Sequence, residues 1–223
     1  MAIALLSNGG MALAGGEEAR GPMHIQRMPK KGNWYRYSGF TGTIGAALAA
    51  NSELLQFRFV SGAKTYGLVD SVKVDGVGIV AVGTAIGPLG FYLKPARAWS
   101  AAGSGGTRIA VSGDNLQMET ALNNSQVSDI GIATTGALTA GTKSFDANGI
   151  GQVLSGVLTG AATVQQTGPL LSPAYMLNAS VEGDMPLVLA NQEGFSILTT
   201  HAGPTALTYV VGFTVVWCEV TVF

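Results

Sequence analysis

The sequence has one cysteine, Cys218, two histidines, His24 and His201, and few charges. One cysteine excludes an internal disulfide framework and a cysteine-based zinc site. Charged residues make up 11% of 223 residues, less than half of the ~25% of an ordinary soluble domain. There is no basic excess, because the net charge is −1, so the electrostatic footprint of a nucleic-acid binder is missing. Disorder is excluded as well, since 47% hydrophobic residues supply ample surface to bury. Surface charge normally keeps a free protein soluble. So little of it points to a surface hidden in an assembly.

Glycine is abundant, at 32 residues, roughly twice the ~7% average usage. Each glycine inside a helix costs ~1 kcal/mol relative to alanine, so helix is confined to a turn or two at Ile44–Ala50 and Leu116–Leu122. The apolar N-terminus Met1–Leu6 has no positive flank and stops at Ser7-Asn8-Gly9-Gly10, unlike a secretory signal. The span Gly76–Leu93 is uncharged, but its glycines and Pro88 fit a strand–turn–strand unit and not a membrane helix.

Charge is unevenly placed. Through Arg108 there are 11 bases against 5 acids, a balance of +6, and beyond it Lys143 alone faces 8 acids, a balance of −7. Residues 1–40 hold Gly9-Gly10, Gly15-Gly16, Pro22 and Pro29 without sustained periodicity, the pattern of an extended arm. Residues 41–223 form the body. Leu55, Phe57 and Phe59 alternate with Gln56 and Arg58, which predicts a half-buried strand. Tyr66–Val74 continues in the same way and breaks at Asp75-Gly76. Leu89–Trp99 is interrupted by Pro95, which predicts an edge strand or a bulge. Short strands follow at Arg108–Val111 and Val127–Ala133, with a loop at Thr134–Gly141. Asn148–Ala162 predicts a strand pair. Leu187–Ala190 and Phe195–Thr199 are strands, and Leu207–Phe223 is a long β-branched and aromatic run for a central strand. The expected fold is all-β, an antiparallel β-sandwich of jelly-roll type with an extended N-terminal arm.

The common catalytic motifs are missing or out of context. No P-loop occurs. Gly76-Val-Gly-Ile-Val-Ala81 mimics a dinucleotide fingerprint but runs into valines and not into a helix. Ser61-Gly-Ala-Lys64 lacks the companion motifs of a serine acyl-enzyme. Cys218 follows Trp217 in an apolar strand and is expected to be buried, with His201 as its one conceivable base. Asp70 with Asp75, or Glu182 with Asp184, would serve as glycosidase acids or Ca²⁺ ligands only if the fold gathered them. The expectation is a chain with no catalytic residue, no cofactor and no metal.

The segments Pro186-Leu-Val-Leu-Ala-Asn-Gln-Glu-Gly-Phe-Ser-Ile197 and Val211-Gly-Phe-Thr-Val-Val-Trp-Cys-Glu-Val220 carry a resemblance. So do Leu48-Ala-Ala-Asn-Ser-Glu-Leu-Leu-Gln-Phe-Arg-Phe59 and Ile132-Ala-Thr-Thr-Gly-Ala-Leu-Thr-Ala-Gly-Thr-Lys143. Over about residues 41–223 the chain resembles small structural proteins encoded beside capsid genes in tailed bacteriophages. The resemblance implies a β-sandwich virion component, without choosing between capsid and tail. The leading expectation is a decoration or cement protein on the capsid exterior. Its partners would be the major capsid protein and copies of itself, as a trimer, with no nucleic acid and no membrane. The expected assembly residues are Met23, Ile25, Met28, Lys30, Lys31, Trp34, Tyr35 and Arg36, apolar and aromatic anchors among bases. The alternative is a tail or fibre component that binds host glycan through Tyr92, Trp99 and Tyr175. A glycan-acting enzyme is the lesser alternative.

Overall fold

The alternating apolar pattern becomes a chain of antiparallel strands in the computed structural model. The structure describes residues 2–5, 11–14, 33–45, 48–61, 65–81, 87–111, 116–118, 125–157, 173–179 and 185–221, with backbone alone at 2–5, 11–14 and 155–157. The N-terminal unit, Met1–Lys31, holds a hairpin of β1 (Ala2–Leu5) and β2 (Met11–Ala14). The second unit, Gly32–Phe223, carries the other strands. These are β3 (Asn33–Phe40), β4 (Glu53–Phe59), β5 (Tyr66–Ala81), β6 (Gly87–Ala101), β7 (Thr107–Ile109) and β8 (Val127–Ile132). They continue with β9 (Thr142–Phe145), β10 (Gly151–Val157), β11 (Ala174–Asn178), β12 (Leu187–Leu189), β13 (Glu193–Thr199) and β14 (Thr208–Val220). The described residues include no helix, so Ile44–Ala50 and Leu116–Met118 contain none in their described parts.

The pairing is nested. β3 pairs with β14, β4 with β13, β5 with both β12 and β11, and β6 with both β10 and β9. The chain is thus one long antiparallel ribbon folded over on itself. Wrapping the ribbon brings β14 onto β5 and β13 onto β6. Two sheets result. One runs β11-β5-β14-β3, with β12 also on β5. The other runs β10-β6-β13-β4-β8-β7, with β9 also on β6. The expected antiparallel β-sandwich is what the chain forms.

The boundary between the two units falls at Lys31/Gly32 and not at Phe40. Residues 33–40 are an edge strand of the body, and Tyr35 and Tyr37 on it are core residues. Asp75-Gly76 does not end its strand either. In β5 the inward residues Val69, Val72, Val74, Val77 and Ile79 are spaced three, two, three and two apart. The register on β14 slips opposite Asp70, Asp75 and Val80, each an extra residue. Such bulges raise local twist and bend the strand, and here they let sixteen residues curl around the core. Pro95 lies in the interior of its sheet, flanked by β13. It fits because the β10 pairing ends at Leu93 and the β9 pairing begins at Ala96. The position between them asks for no ladder donor.

The core is aromatic where the sheets meet. The Phe57 ring stacks on Phe195 at 4.9 Å and meets the edge of Trp217 at 5.0 Å. Trp217 stacks in turn on Tyr35 at 5.4 Å. Phe91 crosses Phe213 edge to face at 6.4 Å. Each such pair adds ~0.5–1.5 kcal/mol beyond its buried area. Because Trp217 joins β3, β14 and β4, Trp217→Ala should lower stability by about 3–5 kcal/mol. The urea midpoint measures this.

Candidate functional site

A cluster of polar side chains lies on the face of the seven-stranded sheet that points away from the core. One cross-strand row there reads Arg108, Gly131, Gln56, Ser196 and Lys94, on β7, β8, β4, β13 and β6. Two glycines leave bare backbone on this face. A side chain at Gly131 would occupy the place of the Arg108 guanidinium. One at Gly194 would come within 2.9 Å of the Trp99 ring. Arg108 and Trp99 therefore lie flat against the sheet. The turn that folds Trp99 back begins at Ala98, whose φ of 48° is in the left-handed region.

Between them sits a buried charge pair. Lys143 Nζ on β9 is 2.5 Å from Glu53 Oε2 on β4, with side-chain exposures of 1% and 5%. The same carboxylate oxygen accepts hydrogen bonds from Gln56 Nε2 at 2.7 Å and Ser196 Oγ at 2.8 Å. The Lys143 ammonium also lies 3.9 Å from the Trp99 ring centroid, a cation–π contact strengthened by desolvation. Gln56 Nε2 donates to Thr139 O at 2.7 Å, and Arg108 Nη1 donates to Gln56 Oε1 at 3.3 Å. Arg108 further pairs with Asp129 at 2.8 Å and donates to Gly103 O. Arg58 donates to Trp99 O at 2.9 Å and Ser100 O at 3.0 Å. The cluster clamps the 99–106 loop and the 137–145 segment onto the sheet. Burial pushes the Lys143 ammonium below its usual range against the pull of Glu53. Burial likewise raises the Asp129 carboxyl, with Arg108 opposing.

A second polar clasp joins the two sheets. Glu219 on β14 accepts hydrogen bonds from Ser125 Oγ at 2.6 Å, from Gln126 N at 2.9 Å and from Trp217 Nε1 at 3.2 Å. This fastens the start of β8 to the opposite sheet. Burial pushes the Glu219 carboxyl upward despite these donors.

The residues expected from sequence scatter. Trp34, Tyr35 and Arg36 are on β3, where Tyr35 belongs to the core, Trp34 packs partly buried beside Leu68, Cys218 and Val220, and Arg36 is exposed. Met23, Ile25, Met28, Lys30 and Lys31 lie outside the described residues. Cys218 is buried, and burial pushes its thiol up to about 12, a range with no thiolate at neutral pH. His201 bonds with Thr200 Oγ1 in the loop before β14, and ten residues of that strand, about 33 Å, separate Thr208 from Cys218. Asp75 is held by Lys73 at 2.6 Å and by Thr214 at 2.6 Å. Glu182 and Asp184 lie outside the described residues. Among the described residues no three metal-binding side chains converge. Of the aromatics expected to hold glycan, Trp99 is 0% exposed, its Nε1 bonded to Ala101 O, and Tyr92 bonds Asn51 through its hydroxyl. Tyr175 alone of the three is well exposed, at 55%.

Sequence reasoning missed the cluster. Gln56 alternates with core residues, a pattern that predicts the solvent face, yet it is fully buried. The available signal was Lys143, the single base after Arg108. Compared with known proteins, the chain matches no family model, no curated protein and no solved structure.

Two outcomes are expected. Lys143→Ala leaves the Glu53 carboxyl buried without its partner and should cost about 3–5 kcal/mol, read in a urea titration. For Glu219 the folded carboxyl binds its proton more tightly than the unfolded one, so its contribution to stability falls as pH rises above its ordinary value of 4.5. Glu219→Gln should therefore gain on wild type as pH rises through that range, read as the difference in unfolding midpoints.

Proposed function

We propose that the chain is a structural component of a tailed-bacteriophage virion, a decoration or cement protein bound to the outside of the capsid. The motifs in the body carry the resemblance to such proteins. The nested strand order supports reading the body as a jelly roll, an architecture of viral capsid and lectin domains. The observation that carries the proposal is the division of the chain into a short N-terminal unit, ending at Lys31, and a closed sandwich. The short unit supplies Met11, Leu13, Met23, Ile25 and Met28 for burial, and Arg20, Arg27, Lys30 and Lys31 for an acidic surface.

In this reading the body sits on the shell as a trimer. Each N-terminal unit reaches the major capsid protein or a neighbouring copy and ties adjacent capsomers together. At ~25 cal/mol per Å² of apolar area, burying a few such side chains contributes several kcal/mol before ordering costs. Attachment at many lattice points multiplies the effect. Trp34 and Tyr35 leave the adhesive set, since β3 uses them for the sandwich. No catalytic role is proposed.

The test follows from the boundary. Removing residues 1–31 leaves β3 intact and should preserve the β-sheet circular dichroism and the cooperative unfolding of the body. Binding to purified capsids lacking the protein should fall at least tenfold. A folded body that binds as tightly as the full chain would defeat the arm mechanism.

A further inference from the structure

The buried cluster on the outer face contains the parts of a condensation reaction. A primary amine, a carboxylate and a carboxamide are all removed from water: Lys143, Glu53 and Gln56. The amine and the carboxamide nitrogen flank one oxygen, Glu53 Oε2, at 2.5 and 2.7 Å. The carboxamide oxygen faces the Arg108 guanidinium at 3.3 Å. The Trp99 ring walls the amine at 3.9 Å. Ser196 Oγ steadies the carboxylate at 2.8 Å. We propose that Lys143 and Gln56 condense to an intramolecular isopeptide bond, with Glu53 carrying protons between them.

The Lys143 ammonium gives one proton to Glu53, leaving a neutral amine and a carboxylic acid. Burial lowers the proton affinity of Lys143, which eases release of that proton. The amine lone pair attacks Gln56 Cδ, and the Nζ–Cδ bond forms. The carbonyl electrons move onto Oε1, where Arg108 stabilises the developing charge. Glu53 protonates Nε2 and then takes back a second proton from Nζ, acting as acid and base in turn. The Cδ–Nε2 bond breaks and ammonia leaves. The products are one secondary amide, one ammonia and a neutral Glu53. No oxidant or added reactant enters.

The arrangement also fixes who reacts. Desolvation leaves Lys143 a better nucleophile than an exposed lysine, in keeping with its lowered proton affinity. Gly103 closes the cluster from above. A methyl group there would strike Thr139 O and lie 2.7 Å from Gln56 Oε1. The bond would join β4 to β9 and enclose β5, β6, β7 and β8 in one covalent loop. A chain with a single cysteine has no disulfide route to such a closure.

The folded full-length protein tests this directly. Its intact mass should be one ammonia below the sequence mass. A chymotryptic digest should contain a branched peptide joining the segment around Gln56 to the segment around Lys143. The branched peptide is the deciding reading, because a succinimide at the exposed Asn148-Gly149 turn would also lose ammonia without branching. Lys143→Arg keeps the positive charge but not the amine, and should yield no branched peptide. Glu53→Gln should slow its appearance at least a hundredfold. Absence of the branched peptide from folded wild-type protein would overturn the proposal, as would its persistence in Lys143→Arg.

Discussion

The pairing of β3 with β14 is the constraint on which the body depends. Asn33 lies opposite Glu219, and Phe40 opposite Gly212. Closing this pair brings together the two ends of the ribbon, and the inner pairs then follow in order. β14 also serves as the middle of its sheet, with β5 on its other side. Its inward residues Tyr209, Val211, Phe213, Val215 and Trp217 are all core. Loss of this strand would therefore open one sheet along two ladders and empty one wall of the sandwich.

Polar burial is used sparingly and in two places, with different results. Glu219 accepts from a backbone N–H, a hydroxyl and an indole across the gap between sheets. It fixes where β8 begins. The Glu53–Lys143 cluster instead holds two excursions of chain against the outside of a sheet. Buried ions seldom add net stability compared with apolar packing. What they add here is position: the loop at 99–106 has few apolar side chains with which to adhere. Directional bonds from Arg58 and Arg108 do that work.

Much of the sandwich was legible because one face of each sheet is dry. The alternation of Leu55, Phe57 and Phe59 and the apolar run of β14 survive as strands with little change in their limits. The errors have a common physical origin. Asp75-Gly76 resembles a turn in isolation, but a bulge absorbs it because β14 supplies a continuous template. Pro95 resembles an edge marker, but two partner strands meet on either side of it. Trp34, Tyr35 and Tyr37 resemble the end of an arm because glycine and proline precede them, whereas their partner strand is β14. The polar cluster was illegible for the same reason. Its members sit on separate strands, and Gln56 and Ser196 look like ordinary solvent-facing residues until loops cover them.

Nested pairing sets a schedule for synthesis. β3 is made early, yet its partner begins some 170 residues later. At about 5–20 residues per second, a ribosome needs roughly 10–30 s to cover that distance. During that interval β3 and β5 both lack the strand that belongs between them, and their backbone donors and acceptors face water or other chains. The exposure falls on one strand rich in aromatic residues and one rich in valine. Slower elongation would lengthen the period in which neighbouring nascent chains can pair with each other.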